Sequence, residues 1–283
     1  IALGGGSVID LAKGISALYD PKRGYSYEEI THAIRNKLYL KKDHFIKIIA
    51  VPSTAGTGSE VTSWATIWDG DKQSKYSIDA PGLKPTLALI VPELTLTASA
   101  NLTLCTGLDA LSHAVEAYWS KHTNPLVQEL AYRAVELILG NLRTGIKRPD
   151  DLAVRELLCR GSVLAGLAFS QTRTTACHSI SYPLTMLYDI PHGLAAAMTL
   201  DPVSRMNEGH YPNDGRLMAL FAEYGGISGW INQVCLGVVQ PKLSAFGITT
   251  QDLHKLVERS FTGGRMDNNP VDLSPEDVMG ILK

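Results

Sequence analysis

Apolar and polar positions recur with two different periods along this chain. In its first part Ile1–Leu3 ends a strand, Val8–Leu18 carries a helical period, and Phe45–Val51 and Leu87–Val91 are short apolar, β-rich runs. Buried strands separated by helix predict a mostly parallel sheet. The last run follows a hydrophilic stretch in which Asp69, Gly70 and Asp71 read as turn residues. From Cys105 onward nearly every segment repeats with the helical period. Breaks are expected at Asn124-Pro125, Pro149, Pro183, Pro191, Pro202 and Gly225-Gly226. Leu157, Val163 and Leu164 belong to one long amphipathic pattern between Asp151 and Phe169. No internal repeat or low-complexity segment is present. The pattern predicts an α/β domain over residues 1–96 and an all-helical domain over residues 97–283.

Composition narrows the classes. A chain of 283 residues allows about two domains at roughly 150 residues each. With 45% hydrophobic and 19% charged residues it can bury a large core and is not a disordered chain. Lys plus Arg is 26 against 28 Asp plus Glu, a formal net charge of −2, so neither nucleic acid nor a polybasic membrane patch is indicated. The basic run from Arg35 to Lys42, with Lys37 and Lys41, reads as a solvated face. No apolar stretch approaches the ~18 residues of a membrane helix. Cys105, Cys159, Cys177 and Cys235 form no C-x-x-C pair, which argues against a disulfide framework or cysteine zinc site and points to a reducing cytoplasm. Ile1 is not a natural initiator, and IALGGGS reads as the end of a strand entering a loop, so upstream sequence is expected.

Two loops carry the first chemical signal. Gly4, Gly5, Gly6 and Ser7 follow a strand and open a helix. Glycines let the backbone turn tightly and approach an anion, and the positive helix end favours phosphate. Asp10, three residues after Ser7, has a bland reading as the partner of an N-cap serine. The second loop, Pro52-Ser53-Thr54-Ala55-Gly56-Thr57-Gly58-Ser59-Glu60, follows the Phe45–Val51 strand and is crowded with hydroxyls and glycines. Two such loops at the C-terminal ends of two strands suit a nucleotide in an open α/β sheet.

A second signal lies in the helical part. Asp109 and His113 are four apart and share a helix face, while His178 and His192 flank an interval broken by Pro183 and Pro191. His192 would then begin a fresh helix able to face His178. One carboxylate and three imidazoles make an N3O set for a divalent ion of Fe, Zn, Co, Ni or Mn type. The competing readings are an ordinary i,i+4 hydrogen bond and core histidines. His32, His44, His122, His210 and His254 have no such context and read as surface residues.

Together GGGSVID, PSTAGTGSE, GLDALSHAVEAY, the AGLAFS run before His178 and IPHG resemble the iron-containing (group III) alcohol dehydrogenases, in order from Ile1 to about Leu282. The resemblance implies a Rossmann-like dinucleotide domain, a helical metal-binding domain and an active site between them. It also implies that the family pattern begins upstream of Ile1, so part of the cofactor domain, with the residue that tells NAD from NADP, is missing here. By the same resemblance the metal ligands are Asp109, His113, His178 and His192, holding Fe2+ with Zn2+ as the alternative. The pyrophosphate loop falls on Gly4, Gly5, Gly6 and Ser7 with Asp10 near the nicotinamide. Thr54, Thr57 and Ser59 match the second nucleotide loop, and Lys75 matches a lysine near the cofactor ribose. A homodimer or larger homo-oligomer acting on a small alcohol or aldehyde follows in kind.

Two departures stand out. Tyr182 occupies a position where many members have a second histidine, and the chain reads Pro191-His-Gly-Leu-Ala-Ala196 instead of PHG-x-A-N. Both put the usual small-alcohol range in question. Arg173 is the cation expected to approach the site, and its planar fork suits an anionic tail. The segment TACHSISYPLT resembles the phosphonoacetaldehyde reductase branch. The expected activity is reversible hydride transfer, with the metal polarising the substrate oxygen and Tyr182 hydrogen-bonding it or linking it to solvent. Alternatives are a dehydroquinate-synthase-like NAD- and metal-dependent lyase, disfavoured by the Asp-plus-three-His set and the second loop, and an inactive metal-binding fragment.

Overall fold

The computed structural model describes residues 1–21, 24–69 and 74–283. The chain starts with β1 (Ala2–Gly4), which runs through the glycine turn into α1 (Gly6–Leu18). Gly4 has φ +155°, and a Cβ there would lie 2.6 Å from Val8, so this turn needs glycine. A helix missed by the periodicity, α2 (Tyr27–Arg35), starts at a capping box of Ser26 and Glu29. The strand β2 (Ile49–Pro52) lies parallel to β1, with Ala2 opposite Ala50 and Gly4 opposite Pro52. On its other side β2 pairs parallel with a short β5 (Leu87–Ala88). The parallel sheet thus has the order β1-β2-β5.

Between β2 and β5 the hydrophilic stretch is not all loop. It forms an antiparallel pair, β3 (Trp64–Asp69) and β4 (Ser74–Asp79). Asp69 ends β3, while Gly70 and Asp71 lie outside the described residues. On β4 alternate side chains are buried, Tyr76 and Ile78, whereas on β3 only Ala65 is. Lys75, Ser77 and Asp79 lower the mean hydropathy of β4 and so conceal its period of two, while β3, Trp-Ala-Thr-Ile-Trp-Asp, has no alternation to read.

The rest is helical. Three long helices, α3 (Ala100–Trp119), α4 (Pro125–Lys147) and α5 (Leu152–Thr172), start at Ser99, Asn124 and Asp151, and each of these side chains accepts a first-turn backbone N–H. α3 is buried on all sides from Gly107 to Trp119, so it is the centre about which the others pack. α6 (Ala176–Tyr188) runs straight through Pro183, contrary to the expected break there; the proline ring is buried among the helices, and tertiary packing outweighs the lost backbone bond. The chain breaks instead at Asp189, in the left-handed region with φ 54°, and restarts after Pro191 as α7 (His192–Ala197). Pro202 likewise falls in the first turn of α8 (Leu200–Asn207), where its missing N–H is free of cost. Shorter helices α9 (Asp214–Ala219), α10 (Ile227–Cys235), α11 (Leu253–Arg259) and α12 (Pro275–Ile281) complete the layer. Among the described residues no helix is long and apolar enough to cross a membrane. All four cysteines are free and buried.

α7 is pressed against α3 at Gly193. A Cβ there would lie 2.1 Å from the Cys105 carbonyl oxygen and 2.6 Å from Asp109 Cβ. Both obstacles are close to backbone and cannot swing aside. Gly193→Ala is therefore expected to lower stability by about 1–3 kcal/mol, as overpacking does. Denaturant unfolding checks it: the midpoint should fall with no change in slope.

Candidate metal centre and cofactor cleft

Asp109 and His113 project from one face of α3 and His178 from the first turn of α6. One ligand atom from each lies within 4.8 Å of the others. His178 Nε2 is 3.5 Å and His113 Nε2 3.9 Å from Asp109 Oδ1. The His113 ring is sandwiched between Phe169, at 4.0 Å, and His178, at 4.5 Å. His192, the first residue of α7, is half-buried with its ring centroid 5.2 Å from that of His178.

The imidazoles are oriented through their other nitrogens. His113 Nδ1 meets the Gly56 carbonyl at 3.3 Å, and His178 Nδ1 meets the Glu116 carboxylate. His192 Nδ1 lies 3.3 Å from Ser181 Oγ, whose own proton is donated to the His178 carbonyl. The geometry therefore assigns Nδ1–H to each ring and leaves the Nε2 atoms unprotonated, as metal ligands require. Buried Asp109 Oδ1 and His178 Nε2 have no hydrogen-bond partner among the described residues. Such orphaned polar atoms, converging within a few ångströms, fit a divalent cation.

Charge supports this for two of the three rings, and at His178 it marks where a cation would displace a proton from Nε2. Burial opposes ionisation of Asp109, yet His113, His178 and His192 around it bring its carboxyl down to about 2. Burial pushes His113 down to about 4 and His192 to about 3, so both are neutral. Burial also works against a charged His178, but Glu116 and Asp109 overcome it and raise the imidazole to about 10.

Glu116 is the residue sequence reasoning missed. It is fully buried and accepts from Thr175 N at 3.1 Å, Thr175 Oγ1 at 2.8 Å and His178 N at 3.2 Å, besides His178 Nδ1. The available signal was a carboxylate seven residues beyond Asp109, hence on the same face of the helix.

Asp109, His113, His178 and His192, but not Glu116 behind them, floor one end of a cleft of about 460 Å³. At its other end lie Gly6, Ser7, Asp10, Thr57 and Ser59. α1 has Gly5 as its N-cap with no side-chain bond, leaving amides for an anion. Ser7 is thus inside the helix, and Asp10 does not cap it. Its carboxylate accepts instead from Ser59 Oγ and from Thr66 N at 2.8 Å. Buried Lys13, also unforeseen, donates to Ser59 Oγ, Thr62 Oγ1 and the Trp64 carbonyl at 2.9, 3.1 and 2.8 Å. It thereby holds the second loop and β3 against α1. Thr54 packs beside Gly5 and Gly4 shapes the turn, both behind the cleft wall.

The chain matches two family models, "Iron-containing alcohol dehydrogenase" over residues 1–92 and "Fe-containing alcohol dehydrogenase family, C-terminal" over residues 103–283. The chain belongs to the iron-containing alcohol dehydrogenase family. It is 36% identical over 209 residues to a 1-propanol dehydrogenase of Salmonella typhimurium, covering 74% of this chain and 51% of that protein. It is 31% identical over its whole length to a 1,3-propanediol dehydrogenase of Klebsiella pneumoniae, covering 74% of the latter. Among solved structures it matches a sulfoacetaldehyde reductase from Bifidobacterium kashiwanohense, in complex with NAD+, with a TM-score of 0.84 and 30% identity, over 99% of this chain and 74% of that one. The chain thus spans between half and three quarters of these relatives' length.

One residue, Arg173, is not where the sequence suggested. Arg173 ends α5 with φ 62°, pairs with Asp79 on β4 and stacks 5.6 Å from Trp64; it does not line the cleft, whereas Arg265 does. Lys75 is turned inward, its Nζ 3.1 Å from the centre of the Tyr182 ring, and burial pushes its ammonium pKa down. Burial works against a phenolate at Tyr182, but Lys75, Arg265 and His178 bring the phenol down to about 7. The Tyr182 ring lies parallel to His192 at 5.6 Å.

Glu116→Gln tests the orienting role. Glutamine would set an amide donor among groups that all donate. Metal affinity is expected to fall by about 10–100-fold. Competition with a chromogenic chelator measures it; unchanged affinity would remove Glu116 from the account.

Proposed function

We propose that the protein carrying this chain is a metal-dependent, NAD(P)-linked alcohol dehydrogenase and aldehyde reductase. The reading rests on one observation: the orphaned Asp109 Oδ1 and His178 Nε2 lie at the floor of the same cleft that the glycine turn and second loop close at its other end. The balanced reaction is aldehyde plus NAD(P)H plus a proton giving primary alcohol plus NAD(P)+. When bound, a divalent ion supplies Lewis acidity toward the substrate oxygen and a nicotinamide supplies or takes up the hydride.

The chain's own residues do the rest. Asp109, His113, His178 and His192 hold the ion, Fe2+ with Zn2+ as alternative, and Glu116 keeps His178 turned toward it. Gly4, Gly5, Gly6 and Ser7 take the pyrophosphate, with Thr54, Thr57 and Ser59 lining the second loop and Asp10 toward the nicotinamide. Tyr182 passes a proton at its phenolic oxygen to or from the substrate oxygen. Residues 1–96 act as a Rossmann-like cofactor domain and residues 97–283 as the metal and substrate domain of a cytoplasmic homo-oligomer. Similarity to a sulfoacetaldehyde reductase supports a small aldehyde with an anionic tail, phosphonoacetaldehyde among them.

The test is NADH and NADPH oxidation by the full-length protein with small aldehydes, in chelator-treated, Fe(II)- and Zn(II)-loaded forms. Turnover is expected to vanish on chelation and return with metal. Saturating metal at 100 times its Kd should also stabilise the fold by about 2.7 kcal/mol, raising Tm. Dinucleotide binding without net oxidation in any metal form would defeat the dehydrogenase reading and favour a lyase that recycles its cofactor.

A further inference from the structure

We infer that Arg265, beside Tyr182 in the cleft and backed by the charge of Lys75 across the tyrosine ring, forms the receptor for an anionic group at the far end of the substrate and thereby sets the substrate class. The inference rests on the hydride-transfer reading and names what that site accepts: a short aldehyde ending in sulfonate, phosphonate or carboxylate.

Arg265 is only 9% exposed and lines the cleft together with Tyr182 and His192. Its Nε faces the Tyr182 hydroxyl at 3.4 Å and its Nη1 donates to the Gly264 carbonyl at 2.7 Å. Those bonds leave Nη2 without a protein partner among the described residues, on a fork built for two-point contact with an anion. Lys75 comes from β4 on the opposite part of the chain and lies against the same tyrosine. Among the described residues neither cation forms an ion pair, and the charged neighbours of Lys75 are Tyr182 and Arg265. Half-buried Lys75 and buried Arg265 share only the Tyr182 phenol as a possible counter-charge among the described residues, so their combined positive potential favours an incoming anion. Arg173 offers no such capacity, since Asp79 already neutralises it.

The position is also rigid. Arg265 N donates to Thr262 O at 3.2 Å, and Thr262 N donates to Ser179 Oγ on α6 at 3.0 Å. Asn268 Nδ2 ties the Gly264 carbonyl to that of Thr174, at 2.9 and 3.1 Å. The loop bearing Arg265 is therefore pinned to the helix that bears His178 and Tyr182. One aromatic ring separates Arg265 from His192, which leaves room for a short carbon chain between carbonyl and anion.

The experiment uses metal-loaded full-length protein with sulfoacetaldehyde, phosphonoacetaldehyde, 3-oxopropanoate and 3,3-dimethylbutanal, the last a neutral mimic of sulfoacetaldehyde in shape. Wild type should favour one or more anions over the neutral aldehyde, and the ranking among the three identifies the anion. Arg265→Met should lower the ratio of kcat/KM for the anions to kcat/KM for 3,3-dimethylbutanal by roughly 100-fold, through KM for the anions, while any effect through the Tyr182 phenol falls on both kinds of aldehyde alike. Lys75→Met should act in the same direction, and Arg265→Lys should restore part of the loss. Calorimetric binding of 2-hydroxyethanesulfonate, the alcohol product, gives a readout that needs no turnover and should weaken in parallel. Equal use of neutral and anionic aldehydes by wild type would overturn the inference. So would a rise in KM for NAD(P)H with unchanged aldehyde discrimination, because the cations would then serve the cofactor. If no aldehyde reacts in any metal form while 2-hydroxyethanesulfonate binding still depends on Arg265, the receptor stands and the hydride-transfer reading alone fails.

Discussion

Asp109 and Glu116, two buried carboxylates on one face of the central helix, constrain everything packed around them. Charge in such a place is stable only if donors or cations reach it, and breaking a buried pair costs about 3–5 kcal/mol. Glu116 takes its donors from the start of α6, where the backbone and hydroxyl of Thr175 and the backbone and ring of His178 all converge on it. The beginning of α6, and with it the direction of the His178 ring, is thus set by where that carboxylate sits. Asp109 takes imidazoles, and Gly193 lets α7 come close enough to add His192.

The same close approaches join this centre to the strand loops. A Cβ at Gly58 would lie 2.7 Å from Gly166 Cα on α5, and one at Gly56 would lie 2.6 Å from the Thr106 carbonyl on α3. Only glycine allows the second loop to lie flat on the helices. Once there, the Gly56 carbonyl orients His113 while its neighbours Thr57 and Ser59 face the glycine turn of α1. Lys13 secures that arrangement from beneath, as a buried ammonium whose pKa burial lowers to about 8. The loop that lines one end of the cleft therefore helps to hold a ligand at the other.

Much of this was legible in the residues. Asp109 and His113 are on one helix turn, so their shared face follows from the 3.6-residue period alone. The parallel strands and glycine turn announce themselves through composition and local geometry, and the helical half through its period. Where averages replace pattern the reading was weaker. Polar alternation hides β4 and the lack of any alternation hides β3, and Pro183 and Pro202 lack the helix-breaking role their type suggests, one because its ring is buried and the other because it sits in a first turn.

What the sequence by itself determined is which chemical groups are present and which of them are neighbours within one turn or one loop: the glycine turn, the hydroxyl-rich loop, the Asp-His pair. Only the tertiary structure decided which distant groups meet. Glu116 and His178 are 62 residues apart, Arg173 and Asp79 are 94 apart, and Arg265 and Tyr182 are 83 apart. Local periodicity carries no information at such separations. Whether a cation is neutralised by a carboxylate or left facing a cleft depends on how packed helices bring distant segments together, so Arg173 and Arg265 could not be told apart until the chain was folded.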